Sequence, residues 1–227
     1  MNRGILSVYW GDESKLPIGR LEDSVKKFHP DLPHKIIKID VPENEVSSLN
    51  KKALMFDLSP FDETLFLDID TVVMGRLDFG FEKAKQFGLA LAICESPWAK
   101  RYRKVFLGDE VEYNTGVIFF DKKSEKVFKE WSDLSQKIDS ENIGVSFETG
   151  EMFRQVANDQ ASFALAIERT SFNPFVLPLN WNFRPMWHRS FCGSIKIWHD
   201  YADPPPFFEE LNSYYAKEDS IIQYHQG

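Results

Sequence analysis

Residues 64–77 read TLFLDIDTVVMGRL, and the rest of the chain is organised around them. An apolar run, residues 65–67, ends in two carboxylates, Asp68 and Asp70, with one residue between them. A second apolar run, residues 72–74, follows. A short apolar run behind the Pro and Asp turn signals of residues 59–63 predicts a buried central strand. Charged side chains are almost never fully buried without a partner, so two carboxylates at the end of such a strand need a cation. On an extended backbone residues i and i+2 point to the same side, which lets Asp68 and Asp70 face one metal ion. Hard oxygen ligands suit Mg²⁺ or Mn²⁺, ions that keep coordination positions open for substrate phosphates. The alternative is a surface turn whose aspartates cap a helix, and the apolar runs on both sides weigh against it.

The 227 residues suffice for one large α/β domain with a substantial core. A net charge of −8 argues against a nucleic-acid binder steered by a basic face. No apolar run approaches the roughly 20 residues needed to span a bilayer. The opening MNRGILSVYWGDE is too short in its apolar part for a signal peptide, so a cytoplasmic protein is expected. Cys94 and Cys192 lie far apart and read as buried free thiols rather than a disulfide.

Outward from the central strand, the pattern alternates. Residues 5–10 predict a strand, 16–28 a helix and 35–41 a second strand, a β-α-β unit with parallel strands and a right-handed crossover. Residues 52–58 predict a short helix. Strands follow at 89–93 and 117–120, then a helix with Val127, Phe128, Trp131, Leu134 and Ile138 at helical spacing. Met152, Phe153, Val156, Phe163, Ala164 and Ile167 make one helix, or two broken near Asn158. Late strands are expected at 175–179 and 194–198. The fold class is α/β, a single domain with a mixed, mostly parallel sheet flanked by helices, in which ligands sit at the carboxyl ends of the strands. Residues 207–227 are acidic and aromatic and suit a docking helix or a partner contact.

Other polar groups gather at strand ends. Tyr9 and Trp10 close the first strand, and Tyr113-Asn114-Thr115-Gly116 opens the strand at 117–120. Asn158-Asp159-Gln160 starts a helix with Asn158 as its cap, and Trp198-His199-Asp200 closes the last strand. Singly these are turns, caps and packing residues. Their order is more specific: Lys52, LFLDIDTVV, YNTGVIFFD, NDQASFALAI, LPLNWNF and IWHD.

In that order, from about Lys52 to His199, the sequence resembles the nucleotide-sugar-dependent glycosyltransferases of GT-A fold. It is most similar to the retaining glycogenin and galactosyltransferase group of family 8. The resemblance implies transfer of a hexose from a nucleoside diphosphate sugar, UDP-linked, to an acceptor hydroxyl on a glycan, glycolipid or protein. It implies Asp68, Asp70 and His199 as ligands of Mn²⁺ or Mg²⁺, with Asp68 also near the ribose. Lys52 would reach the nucleotide or sugar. Asn114, Thr115 and Gly116 would line the cleft, and Asp159 and Gln160 would lie beside the anomeric carbon. Tyr9 and Trp10 match by position alone, where the family holds the base. The chain departs from the family after His199, where Ala202 and Pro205 replace an expected Gly and a phosphate-clamping Lys. Arg184, Arg189 and Lys196 are the candidates to replace that Lys.

The chemistry needs a cation to stabilise the leaving diphosphate as positive character builds on the anomeric carbon. Inversion would also need a base near the acceptor hydroxyl, for which Asp159 is the candidate, so retention rests on the resemblance alone. Two rivals stand beside this reading. Asp68-Ile69-Asp70-Thr71-Val72 also fits the D-x-D-x-[TV] motif of haloacid-dehalogenase-type phosphatases, although that motif belongs on a first strand. The other rival is a non-catalytic sugar-nucleotide binder. Residues 98–104, WAKRYRK, mix aromatic and basic side chains and suit a lipid-linked acceptor, a peripheral membrane contact or a solvated loop.

Overall fold

The computed structural model describes residues 2–40, 51–94, 111–135, 142–145, 149–155, 159–188, 190–218 and 223–225. The chain opens with strand β1 (Arg3–Tyr9), helix α1 (Ile18–Phe28) and strand β2 (His34–Lys38). A 3₁₀ turn (Lys51–Leu54) and helix α2 (Met55–Leu58) lead into β3 (Glu63–Leu67), buried along its whole length. Next come β4 (Thr71–Val73), α3 (Asp78–Phe87), β5 (Leu89–Ile93), β6 (Tyr113–Asp121) and α4 (Glu125–Ser135). Then follow β7 (Asn142–Val145), β8 (Met152–Gln155), α5 (Asp159–Arg169) and β9 (Phe175–Leu177). Strands β10 (Ser190–Cys192) and β11 (Ile197–His199), helix α6 (Phe207–Glu218) and strand β12 (Gln223–His225) close the chain.

The main sheet has six strands in the order β2-β1-β3-β6-β5-β9. Side chains alternate across it, as the two-residue period of a strand dictates. Phe66, Ile118, Phe120, Leu89 and Leu91 face one core, under α4 and α5. Leu65, Leu67, Val117, Phe119 and Ala90 face the other, under α1 and α3. Helices on both faces explain why β3 and β6 read as unbroken apolar runs.

Every pairing in this sheet is parallel except the two made by β6, which runs against β3 and β5. That reversal positions the site. Because β6 is inverted, its amino end, Tyr113–Gly116, meets the carboxyl end of β3, where Asp68 follows. A second, two-stranded sheet brings the last piece: β4 pairs antiparallel with β11, setting His199 opposite Thr71. A separate core of Met74, Phe183, Ile195, Trp198 and Phe208 holds this small sheet. Helix α6 docks on it within the same chain, with Asn212 hydrogen-bonded to the backbone of Met74 and Ile195.

Several expectations need correction. Residues 152–155 form a strand paired with residues 142–145, not a helix. Met152, Phe153 and Val156 are too few to separate the two periods, and tertiary pairing decides. The expected strand at 194–198 starts later, at Ile197, and joins β4 instead of the main sheet. β3 stops at Leu67, so the aspartate pair lies in a turn, not on extended backbone. Cys192 is exposed on the short strand β10, and Cys94 is half-buried, so neither is the fully buried thiol expected. The stretch 98–104, Asn158, Val156 and Ile138 lie outside the described residues. Among the described residues no helix is long and apolar enough to cross a membrane.

Candidate active site

Asp68 and Asp70 converge because the chain turns immediately after β3. Thr71 closes this turn, donating its N–H and its hydroxyl to the Asp68 carbonyl at 3.1 and 2.7 Å. Asp68 N–H in turn donates to Gly116 O on β6 at 2.8 Å. The Asp70 carbonyl accepts from Asp200 N–H at 3.0 Å and from the Arg20 guanidinium at 3.1 Å. Arg20 also donates to the carbonyls of Asp200 and Tyr201, at 2.6 and 2.7 Å. It thereby ties the aspartate turn to the segment after β11.

The floor of the cleft is a closed charge network. Lys52 is 7% exposed and donates to Asp68 Oδ2 at 2.6 Å, with Asp159 Oδ2 at 3.5 Å. Thr115 donates to the same Asp159 oxygen at 2.5 Å. Burial alone would lower the Lys52 amine, but Asp68 and then Asp159 outweigh it, and the group is held above its ordinary value as an ammonium. Burial pushes the Asp68 carboxyl up, against the pull of Lys52. Asp159 sits on the first turn of α5, which is fixed by the buried Trp131: its indole N–H reaches Asp159 O and Ser162 Oγ, each at 3.0 Å. Gln160 follows it, half-buried.

The lip is built from the small sheet. His199 Nε2 lies 3.4 Å from Asp70 Oδ1 and 3.9 Å from Asp68 Oδ2. Burial pushes Asp70 up, yet the hydrogen bond and charge that His199 offers when both ring nitrogens are protonated prevail and hold its carboxyl at about 2. Gly116 is required here: a Cβ would run into His199 Cε1 and stand 2.8 Å from Asp68 Oδ2. The ligand atoms of Asp68, Asp70 and His199 all lie within 4.8 Å of one another. Two carboxylates and one imidazole fit a hard or borderline divalent cation such as Mn²⁺ or Mg²⁺.

Two cavities open from this point. One of about 210 Å³ is lined by Tyr9, Trp10, Leu16, Lys52, Asp68, Asp70 and Tyr201. Tyr9 is fixed there by its hydroxyl, which donates to Glu13 at 2.6 Å. The second, of about 270 Å³, holds Arg184, Met186 and Trp187 with Asp70, His199 and Tyr201. Tyr201 and Asp70 line both. The Tyr201 hydroxyl is pushed up by burial and then by the charges of Asp70 and Asp68.

Parallel strands ending in an aspartate turn, one reversed strand and a late histidine on a side sheet make a comparable arrangement. Mouse xyloside xylosyltransferase 1 in its apo form superposes with a TM-score of 0.55 at 15% identity, over 90% of this chain and 99% of that one. The fold is GT-A. The galactosyltransferase LgtC, solved with donor and acceptor sugar analogues, gives 0.53 at 13% identity over 93% and 95% of the two chains. The glycosyltransferase GlyE of Streptococcus pneumoniae TIGR4 gives 0.55 at 17% identity, covering 96% of this chain and 61% of its own. No protein-family model and no curated protein sequence matches the chain. At these identities the likeness is one of fold.

On this GT-A scaffold Lys52, Asp68, Asp70, Thr115, Gly116, Asp159 and His199 come together at one strand edge, with Tyr9 and Trp10 on the adjoining cavity. Of the candidates for the missing lysine, Arg184 lines the second cavity, whereas the Lys196 side chain lies against Gly75, beside the small sheet. Arg189 is outside the described residues. Sequence reading missed Arg20, Asn182 and Tyr201. Asn182 stands inside the quoted LPLNWNF, where an ordered reading of each polar residue would have found it; Arg20 carries no local signal.

Proposed function

We propose that the protein is a metal-dependent glycosyltransferase that moves a hexose from a UDP-sugar to an acceptor hydroxyl, with retention. The observation that carries this reading is the Asp68–Asp70–His199 cluster at the carboxyl end of β3, beside the cavity walled by Tyr9 and Trp10. Three carboxylates, Asp68, Asp70 and Asp159, face one ammonium, an excess of negative charge that repels a diphosphate. A divalent cation held by Asp68, Asp70 and His199 removes that repulsion and supplies Lewis-acid stabilisation to the leaving group.

The chain's own groups do the rest. Tyr9 and Trp10 offer flat faces to a base. Lys52 keeps its proton and fixes Asp68, which lines the first cavity, while Asp70 lines both. Asp159 is engaged by Lys52 and Thr115, which supports retention: a general base for inversion must be open to the acceptor hydroxyl. Gln160, next on α5, is the group assigned to the sugar side. The second cavity, with Trp187, Met186 and Arg184, is assigned to the acceptor. We take the full chain as one catalytic domain, with α6 as its internal support. The exposed thiol of Cys192 is in keeping with a reducing compartment, the cytoplasm.

The phosphatase alternative is disfavoured because its motif would sit on a first strand with a free nucleophile, whereas Asp68 follows the third strand and is bound by Lys52. The test is calorimetry with UDP, with Mn²⁺ and with EDTA, alongside turnover of UDP-sugars and of a phosphomonoester. Tighter UDP binding with Mn²⁺ and UDP-sugar turnover are expected. Equal affinity in both conditions sinks the metal role, and phosphomonoester turnover would favour the rival.

A further inference from the structure

We propose that Asn182 is a positioning residue for His199: through Asn114 it fixes the ring proton on Nδ1 and so turns the Nε2 lone pair toward Asp68 and Asp70. The inference rests on the metal-site reading above, but its geometry stands independently of it. Gly116 N–H can only donate, and the side-chain atom it meets at 2.9 Å is Asn114 Oδ1. That oxygen also receives Asn182 Nδ2 at 2.9 Å, which sets the Asn182 amide one way round. Its other end, Oδ1, is then 2.8 Å from His199 Nδ1. An amide oxygen accepts and cannot donate, so Nδ1 must carry a hydrogen.

Burial makes the relay stiff. Asn114 is 4% and Asn182 2% exposed, so a reversed amide would leave polar atoms facing like atoms without water to relieve them. The backbone supports the same geometry: Phe183 N–H donates to Ile197 O and His199 N–H to Phe183 O, each at 2.8 Å, which holds Asn182 beside the end of β11. On the opposite side of the ring, Nε2 faces the two carboxylates at 3.4 and 3.9 Å. A histidine that ligates a metal needs its other ring nitrogen hydrogen-bonded to fix tautomer and orientation. Here that partner is an asparagine, locked by a second asparagine that is locked by the main chain of β6.

The first test is long-range ¹H–¹⁵N correlation of the metal-free wild type, with the His199 signals assigned by their loss in His199→Gln, at a pH where the ring is neutral. The expected species has hydrogen on Nδ1 and a bare Nε2. Finding hydrogen on Nε2 and a bare Nδ1 overturns the proposal without any variant of Asn182. The second test is Mn²⁺ calorimetry on Asn182→Leu and Asn182→Asp. The leucine variant removes the acceptor and should bind Mn²⁺ about 10- to 100-fold more weakly. The aspartate variant loses the donor to Asn114 but keeps an acceptor at Nδ1, and should retain the wild-type tautomer and bind Mn²⁺ more tightly than the leucine variant. Unchanged Mn²⁺ affinity in a folded leucine variant overturns the positioning role. A wild type that shows the Nδ1–H tautomer yet binds no Mn²⁺ overturns the metal reading while upholding the relay.

Discussion

On the floor of the cleft each charged group already has a partner, whereas on its lip the groups face a space between them. Lys52, Asp68, Asp159 and Thr115 are joined by contacts of 2.5 to 3.5 Å on elements of the main sheet and its helices. Asp70 and His199, on a turn and a two-stranded side sheet, stand 3.4 Å apart, with Nε2 and the carboxylate oxygens pointed at one point. On the function proposed above, the difference separates charges that hold the fold from charges that hold a ligand. A buried ion pair is costly to break but is a poor place for chemistry, because its valences are used. A convergent set of carboxylates and an imidazole is where binding energy for a cation is gained.

Breaking the floor should give the largest effect. Lys52→Met leaves Asp68 and Asp159 buried without their cation, which costs about 3–5 kcal/mol and lowers Tm by roughly 6–20 °C in a chain of this size. Thermal unfolding of the metal-free protein measures it. A shift under about 2 °C would show that the network is better solvated than its burial indicates. Next, Asp70→Asn should lower transfer rate by about 10²–10³, near 3–4 kcal/mol of barrier, with a Tm shift that is a small fraction of the Lys52→Met shift. Comparable Tm losses in the two variants erase the distinction between floor and lip.

Acidification sharpens the comparison further. His34 on β2, held against Ser7 at 3.0 Å, has its imidazole lowered by burial to about 4. Its ordinary value in the unfolded chain is about 6.5, so between these values the unfolded state binds more protons and stability falls as pH falls. The loss is at most about 3 kcal/mol. Asp70, held at about 2, stays ionised in the folded protein across that window and adds only a small slope below about pH 5, where its carboxyl in the unfolded chain begins to take up protons. Urea unfolding from pH 7 to 4 should show the decline, most of it absent in His34→Asn and intact in Asp70→Asn. The same slope in all three proteins assigns it elsewhere.

Much of this was legible beforehand because it is local. The run at 65–67 had to be a buried strand, since both its faces are apolar, and two carboxylates at its end had to meet a cation. The β-α-β opening fixed parallel pairing of β1 and β2. Residues 152–155 carry no such local mark, because a short apolar run satisfies both periods and only the partner strand at 142–145 distinguishes them.

The sequence by itself determined the kind of sheet, the aspartate pair and the candidate identities of its neighbours, through periodicity and charge burial within short windows. Tertiary structure alone decided that Asp68 belongs to Lys52 and Asp70 to His199, since those partners lie 16 and more than a hundred residues away. It also decided the convergence itself. The pair meets through a Thr71-closed turn, a reversed β6 and a side strand β11, and pairing direction between distant segments leaves no mark on any one of them.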